Sequence, residues 1–201
     1  MSADLGVDST RERDTFLCRL CRLALRVIGW TCVDLPQRPP RAVLVVYPHT
    51  SNWDFPIGLV AAAALALGAK WVGKDTLFRP PFGGLMRLLG GIPVNRREHT
   101  GFVERMVEEM QRRERFMLAI APEGTRSRRP GWKSGFYRIA RAAEVPVVLG
   151  TIDYAHRRVG LIDAFRLTGD EAADMARIAE CFRDCAGRRP ELASPIELLT
   201  K

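Results

Sequence analysis

The sequence predicts a single α/β domain in which a mixed, mostly parallel β-sheet is flanked by helices. The apolar run at residues 43–46 predicts a buried strand, and the continuous apolar run at 116–121 is typical of a strand that is covered on both faces of a sheet. Residues 145–154 are expected to form a further buried strand. An Ala-rich helical segment at 55–69 follows the first run. Strands that alternate with helices in this way favour a mostly parallel sheet, because parallel neighbours are joined by helical crossovers.

Shorter patterns complete the predicted order of elements. Strands are expected at 70–74, 91–96 and 158–165, and helices at 83–90, 98–113, 131–143 and 169–186. The turn at Ala155 and His156 would return the strand at 158–165 beside the strand that precedes it.

Residues 1–35 form an N-terminal segment ahead of the domain at 36–201. Residues 1–12 are polar, and we expect them to be disordered. From 14 to 30 apolar residues fall on one side while arginines recur at three- and four-residue steps, which predicts a basic amphipathic helix. Such a helix either lies in a membrane interface or packs on the domain with its arginines in water, and both alternatives stay open.

The charge balance predicts an anionic partner. Formal net charge is +8, and arginine supplies all but four of the 31 basic residues. Arginine suits bidentate phosphate contacts, although a GC-rich genome would produce the same bias. The basic residues are spread along the chain without a recognised nucleic-acid-binding module, so we expect no nucleic-acid partner.

Cysteine usage and hydropathy predict a cytoplasmic protein. The five cysteines are an odd set without the spacing of a disulfide scaffold, which favours free thiols in a reducing compartment. No signal peptide is evident. The longest apolar run, at 55–69, is shorter than the about 20 residues that cross a bilayer. We therefore expect a cytoplasmic location. The inner face of the membrane stays open as an alternative, through the amphipathic helix.

The most informative stretch follows the first apolar run. His49 would lie on the strand-to-helix turn and Asp54 in the first helical turn, with Ser51 or Asn52 as the helix cap. Neutral imidazole takes a proton from a hydroxyl efficiently when an acceptor holds its other nitrogen, and Asp54 is the candidate acceptor. The alternative is a capping aspartate beside an incidental loop histidine.

Two later segments carry candidate anion ligands after predicted strands. Residues 90–96 begin with two glycines and close on Arg96. Residues 121–127 contain Gly124, which permits a tight turn, followed by Thr125 and Arg126, which supply donors for phosphate oxygens. The alternative for this run is a solvated basic loop.

Taken together, these blocks resemble the glycerolipid acyltransferase family, whose best-known members acylate lysophosphatidic acid. The resemblance covers about residues 43–150. The blocks that carry it are His49 with Asp54, residues 91–96, residues 122–127 and residues 145–148. It implies an α/β fold like that of glycerol-3-phosphate acyltransferase.

The resemblance also implies a role for each block. His49 would be the general base that deprotonates the acceptor hydroxyl, and Asp54 would orient it. The residues implied in binding the acceptor's phosphate are Arg96, Glu123, Gly124, Thr125 and Arg126, with Glu123 shaping the loop and Lys74 as an additional candidate.

The implied reaction is direct attack of a lysophospholipid hydroxyl, such as that of 1-acylglycerol-3-phosphate, on an acyl thioester. Acyl-CoA or acyl carrier protein would be the co-substrate, and a Gly-x-Ser-x-Gly nucleophile elbow is absent. No metal or nucleotide motif is present, so no cofactor is expected. The two other histidines, His99 and His156, are expected to be solvated. We also expect the protein to make peripheral contact with an anionic membrane.

Two departures from the family pattern are visible. Pro48 stands where asparagine is common, and Leu149 and Gly150 follow the fourth block where proline often continues it. The wall facing the acyl chain is therefore expected to differ. An acyltransferase for an amine or a non-glycerol lipid, and a non-catalytic module that binds anionic lipid, stay open as alternative functions.

Overall fold

The computed structural model describes residues 15–94 and 101–199 and places seven strands in one sheet. The strands are β1 (Thr31–Val33), β2 (Arg41–Tyr47), β3 (Lys70–Lys74), β4 (Gly91–Val94), β5 (Phe116–Ile120), β6 (Val147–Asp153) and β7 (Arg158–Phe165). The helices are α1 (Phe16–Val27), α2 (Asp54–Ala64), α3 (Gly83–Leu88), α4 (Phe102–Arg112), α5 (Gly135–Ala142) and α6 (Glu171–Cys181), with 3₁₀ turns at Asp75–Phe78 and Pro190–Leu192.

The strand order is β1-β7-β6-β2-β5-β3-β4. Strands β6, β2, β5, β3 and β4 run parallel to one another. Strand β7 is antiparallel to β6, and β1 is parallel to β7. The predicted mixed, mostly parallel sheet flanked by helices is therefore confirmed. The pairing of β2 with β5 also brings the carboxyl ends of these two strands side by side.

A back layer of α4, α5 and α6 covers one face of the sheet. Met110 of α4, Ile139 of α5 and Ile178 of α6 are fully buried in one cluster with Val43 and Val45 of β2. This cluster is the larger part of the hydrophobic core, and burial of its apolar surface is the main stabilising contribution on this side.

A front layer of α1, α2, the Asp75–Phe78 turn and α3 covers the other face. Leu25 of α1 and Ala61 of α2 share a buried cluster. Trp71 of β3 contacts the ring of Phe55 in α2 at 4.7 Å between centroids and stacks on Phe78 at 5.6 Å. The front layer is therefore continuous from α1 at one edge of the sheet to α3 at the other.

Helix α1 has the predicted amphipathic pattern, but most of its apolar side faces outward. Only Cys18 and Leu25 of this helix are buried. Phe16 is 82% exposed and Val27 is 78% exposed. Most of the apolar side is therefore not used in packing on the domain. Within the two described ranges, no helix combines the length and apolarity needed to cross a bilayer.

Two differences from the predicted elements have local causes. Helix α2 ends at Ala64 instead of 69, because Ala66 and Gly68 adopt left-handed φ angles of 49° and 57°. Strand β1 was not predicted, since three residues are too few to show a period, and it extends the sheet into the N-terminal segment.

Some expectations fall on parts of the chain that the structure does not describe. These are the lead-in at 1–12, the end of the strand predicted at 91–96, the start of the helix predicted at 98–113 and the solvation of His99. All five cysteines carry free thiols; Cys18 is buried and the other four are half-buried.

Two glycines provide a test of how tightly β1 is packed on β7. Gly160 has φ 137°, and a Cβ there would lie 1.9 Å from the Val33 carbonyl oxygen. Gly160→Ala should lower the free energy of unfolding by about 3 kcal/mol or more. Gly68→Ala, with positive φ but no atom within 4 Å of the added carbon, should lower it by only about 1 kcal/mol. Urea denaturation of both variants measures the difference, and equal losses would contradict the β1–β7 contact.

Candidate active site

The candidate site lies where the loops after β2 and β5 meet. His49 follows β2, and residues 121–127 follow β5, its neighbour in the sheet. The carboxyl edge of a parallel sheet is the usual place for a ligand site in α/β proteins. The local order strand, turn and helix therefore brings two separate sequence blocks to one edge.

His49 and Asp54 form a close pair at this edge. The Nδ1 atom of His49 lies 3.2 Å from Oδ2 of Asp54, whose side chain is 1% exposed, whereas the imidazole is 18% exposed. The same Oδ2 accepts hydrogen bonds from the backbone N–H groups of Thr50 and Ser51, both at 2.8 Å. The hydroxyl of Tyr154 donates to Oδ1 at 2.9 Å. Asp54 is thus held by three hydrogen-bond donors, and its contact with Nδ1 of His49 leaves Nε2 of the imidazole to act on a substrate.

The surroundings of Asp54 keep it ionised. Burial by itself raises the pKa of this carboxyl, but the contact with His49 and the hydrogen bonds from Ser51 and Tyr154 outweigh burial and lower the pKa below its usual value. Burial and the nearby Asp54 charge raise the pKa of the Tyr154 hydroxyl, which therefore stays a donor. A charged Asp54 can stabilise the imidazolium that forms when His49 takes a proton.

The helix cap is not the one predicted. Trp53 occupies the N-cap of α2 without a side-chain hydrogen bond, and Ser51 instead accepts from the Trp53 N–H at 3.2 Å. The prediction of Ser51 or Asn52 as the cap was wrong, because Asp54 folds back onto the N–H groups of the preceding turn. The capping alternative for Asp54 nevertheless describes only part of its contacts, since it also faces His49.

Glu123 is buried between the two loops. Its Oε2 accepts from the His49 N–H at 2.8 Å, and its Oε1 accepts from the Ser194 N–H at 2.8 Å. Burial raises the pKa of Glu123, and these N–H donors only partly offset the effect. Both oxygens are engaged by the protein itself, so this residue shapes the loop and holds the backbone of His49.

The C-terminal strap, residues 186–199, closes the back of the site. The Arg189 N–H donates to the Thr50 hydroxyl, and the Tyr47 hydroxyl donates to the Ser194 carbonyl. On the other loop, the Arg129 N–H donates to the hydroxyl of Ser194 at 3.1 Å. The strap therefore binds both loops.

Several of the predicted phosphate ligands line the same cavity as the pair. Arg126 is exposed, and its Nε donates to the Ser51 carbonyl at 3.0 Å, so it reaches across to the His49 loop. Gly124 has a left-handed φ of 66°, which glycine adopts readily in the tight turn that was expected there. One cavity is lined by Arg126 and Gly124 together with His49, Thr125 and Lys74.

Arg96 lies outside the described residues. Its contribution to the site therefore stays a prediction.

The cavity has a volume of about 800 Å³ and runs from the His49–Asp54 pair under α2. Its apolar walls come from the sheet and from α2 and include Leu44, Ala61, Leu65, Ala119, Gly150 and Leu161. Gly150 belongs to the second departure from the family pattern, and a Cβ there would lie 2.9 Å from Leu44 Cδ1. Gly150 lines this cavity, whereas Leu149 is buried in the cluster of the back layer. Among the described side chains, no group of three or more His, Cys, Asp or Glu residues could hold a metal ion.

Tyr154 and Ser194 were not found from the sequence. Tyr154 lies one residue beyond β6, the neighbour of β2, and only its place at the carboxyl edge could have indicated it. Ser194 acts through its backbone N–H, which leaves no signal in the side-chain pattern.

Removing the Glu123 carboxylate tests its role in joining the loops. Glu123→Ala leaves the buried N–H of Ser194 and the half-buried N–H of His49 without acceptors and should lower the free energy of unfolding by about 2 to 4 kcal/mol. Glu191→Ala, at an exposed carboxylate of the strap, should change it by less than about 0.5 kcal/mol. Urea denaturation near pH 7 measures both, and a wild-type value for Glu123→Ala would contradict the proposed link.

Comparison with known proteins agrees with the geometry. The fold is similar to that of the 1-acyl-sn-glycerophosphate (LPA) acyltransferase PlsC from Thermotoga maritima, at 16% sequence identity and a TM-score of 0.53. The match covers 82% of this chain and 73% of that one. No curated protein sequence matches the chain significantly. The profile of the family described as Acyltransferase matches residues 30–151, more than half of the chain and both loops of the site, and the chain therefore belongs to the acyltransferase family.

Proposed function

We propose that this protein transfers a fatty acyl group from acyl-CoA or acyl carrier protein to the hydroxyl of a lysophospholipid such as 1-acylglycerol-3-phosphate. The observation that carries the proposal is the His49–Asp54 pair at one end of an apolar cavity of about 800 Å³. An apolar cavity suits an acyl chain, and the pair suits proton removal from a hydroxyl.

The reaction starts at the imidazole. Nε2 of His49 takes the proton of the acceptor hydroxyl as its oxygen attacks the thioester carbonyl, and ionised Asp54 stabilises the resulting imidazolium. Collapse of the tetrahedral intermediate forms the ester C–O bond and breaks the C–S bond. The imidazolium then returns its proton to the departing thiolate, so that His49 is neutral again and no acyl-enzyme is formed.

The acceptor's phosphate binds beside this pair. The Nε of Arg126 donates to the Ser51 carbonyl at 3.0 Å. Its terminal nitrogens have no hydrogen-bond partner among the described residues, so we expect them to bind an anion. Gly124 and Thr125 follow on the same loop, and Lys74 approaches from the end of β3. We also include Arg96 among the phosphate ligands, on the basis of the sequence block at 91–96 that it closes.

The lipid character of both substrates calls for contact with a membrane surface. The exposed apolar side of α1, which carries Phe16 and Val27, fits the interfacial plane, and the net charge of +8 fits anionic headgroups. We assign the protein to the cytoplasmic face of the membrane on these grounds.

Replacing the base should abolish most of the activity. His49→Ala should reduce kcat by about 10² to 10⁴, measured as acceptor-dependent thiol release from palmitoyl-CoA with lysophosphatidic acid. His156→Ala is a matched control, because His156 also contacts a buried aspartate, Asp153, at 2.8 Å but is 53% exposed at the β6–β7 turn. It should retain wild-type activity.

The same assay tests the acceptor. If no lysolipid of a panel stimulates thiol release from either palmitoyl-CoA or palmitoyl-acyl carrier protein, the proposal is wrong. Vesicle binding without turnover would then favour the lipid-binding module. Stimulation by an amine or a non-glycerol lipid alone would reassign the acceptor.

Removing the Tyr154 hydroxyl should slow the reaction through Asp54. Tyr154→Phe should lower kcat by about 3- to 30-fold with little change in KM, because a hydrogen bond to a charged group is lost. Tyr137 provides the control, since it donates to buried Asp174 at 2.7 Å in the back layer. Tyr137→Phe should lower stability by about 1 to 3 kcal/mol but keep kcat. Equal kcat values for the two variants would contradict a role of Tyr154 at the site.

The acid stability of Tyr154→Phe gives a second measurement. The folded pKa of Asp54 lies below its unfolded value, so its ionised form contributes stability that is lost as pH falls through the folded pKa. Loss of the tyrosine donor raises that folded pKa, and the variant should therefore unfold at a higher pH than wild type in an acid titration.

A further inference from the structure

The exposed apolar side chains of the protein are not spread evenly over its surface. Among residues 15–94 and 101–199, every large apolar side chain that is exposed belongs to the front layer or to the residues that adjoin it. They are Phe16, Leu17, Leu20, Leu23, Val27, Ile28, Trp53, Leu77, Phe82, Leu85, Leu88 and Leu89. The helices of the back layer have none in the described part of the chain, so the two faces of the protein differ in what they present to the solvent.

Five of these residues form a second patch, separate from α1, which we call the entrance patch: Leu77, Phe82, Leu85, Leu88 and Leu89. Leu88 is 83% exposed and Phe82 is 65% exposed. Leu77 and Phe82 also line the cavity that reaches His49. These two residues are at once exposed and in contact with the cavity, so its apolar wall continues onto the apolar outer surface at the entrance patch.

The segment that carries the patch is firmly packed on its inner side. Phe78 is buried, and a Cβ on Gly83 would lie 2.1 Å from the Phe78 carbonyl oxygen. The guanidinium of Arg87 donates to the same carbonyl at 3.3 Å and to the Gly83 carbonyl at 3.4 Å. The apolar side chains outside this packed turn are thus held in place facing solvent.

The charges around the patch favour an anionic surface. Lys74, Arg79 and Arg87 lie on or beside the segment, and Arg126 stands at the same cavity. Asp75 is the one acidic residue in 74–89, and its carboxylate lies 3.9 Å from Arg79. Apolar side chains bordered by cations are the combination that inserts into an anionic lipid interface.

We propose that the entrance patch inserts into an anionic bilayer and that the acyl chain of the lipid acceptor passes between Leu77 and Phe82 into the cavity without crossing water. This proposal rests on the proposed function. It differs from binding through α1 alone, because the patch adjoins the cavity and determines where a membrane-embedded substrate enters.

The test uses the full chain with Leu85→Glu and Leu88→Glu combined. Neither residue lines the cavity, and both are exposed, so the substitutions leave the site and the core intact. The control combines Gln111→Glu in α4 with Ala142→Glu in α5, which makes the same charge change at exposed positions of the back layer. Circular dichroism melting confirms that both variants are folded.

Binding is measured by co-sedimentation with phosphatidylcholine vesicles, with and without phosphatidylglycerol. Wild type and the control should bind the anionic vesicles equally, and the patch variant should bind at least about tenfold more weakly. Thiol release is measured with lysophosphatidic acid embedded in the vesicles and with a short-chain, water-soluble acceptor in buffer. The patch variant should lose vesicle activity in proportion to its binding and keep wild-type activity on the soluble acceptor.

Two results would overturn the proposal. Vesicle affinity or vesicle activity of the patch variant equal to wild type would show that the patch does not meet the bilayer. A wild-type dimer in light scattering that the patch variant dissociates, without vesicle binding, would assign the patch to a second copy of the chain. Failure of the proposed function is seen separately, as no activity of wild type in either format, while the sedimentation result still decides whether the patch binds lipid.

Discussion

The Glu123 carboxylate is the contact on which the arrangement of the site depends. One oxygen accepts from the His49 N–H after β2, the other accepts from the Ser194 N–H of the strap, and the residue itself belongs to the loop after β5. Three segments from distant parts of the sequence are thereby joined at one buried group. A carboxylate is suited to this because it has two oxygens and several lone pairs, so it accepts from separate donors without reorientation.

The two buried carboxylates of the site illustrate how surroundings determine a role. Both are almost inaccessible to solvent, and burial disfavours the charge on each. Asp54 collects N–H and hydroxyl donors together with the His49 ring, and its pKa is lowered. Glu123 has mainly backbone donors, and its pKa is raised. Asp54 therefore supplies a permanent negative charge to the imidazole, whereas Glu123 supplies hydrogen-bond acceptors to the loops.

The sequence predicted the elements whose patterns are local and strong. The strand at 158–165 has the predicted bounds, and the apolar runs that became β2 and β5 place their loops at one edge. The orientation of α1 was undecidable from its pattern, because an amphipathic helix looks the same whether its apolar side meets a core or a lipid surface. Tyr154 and Ser194 were missed because their contacts with Asp54 and Glu123 span 100 and 71 residues, a distance at which no spacing rule applies.

The place of the strap in the chain has a consequence for biosynthesis. The loops that carry His49 and Arg126 emerge from the ribosome well before residues 186–199. The Oε1 atom of Glu123 accepts its hydrogen bond from Ser194, which belongs to those later residues. A nascent chain that has completed its sheet through β7 therefore still lacks the hydrogen bond between Glu123 and the strap. The contact between Glu123 and Ser194 can therefore form only after residues 186–199 have been synthesised, later than the two loops that it helps to hold.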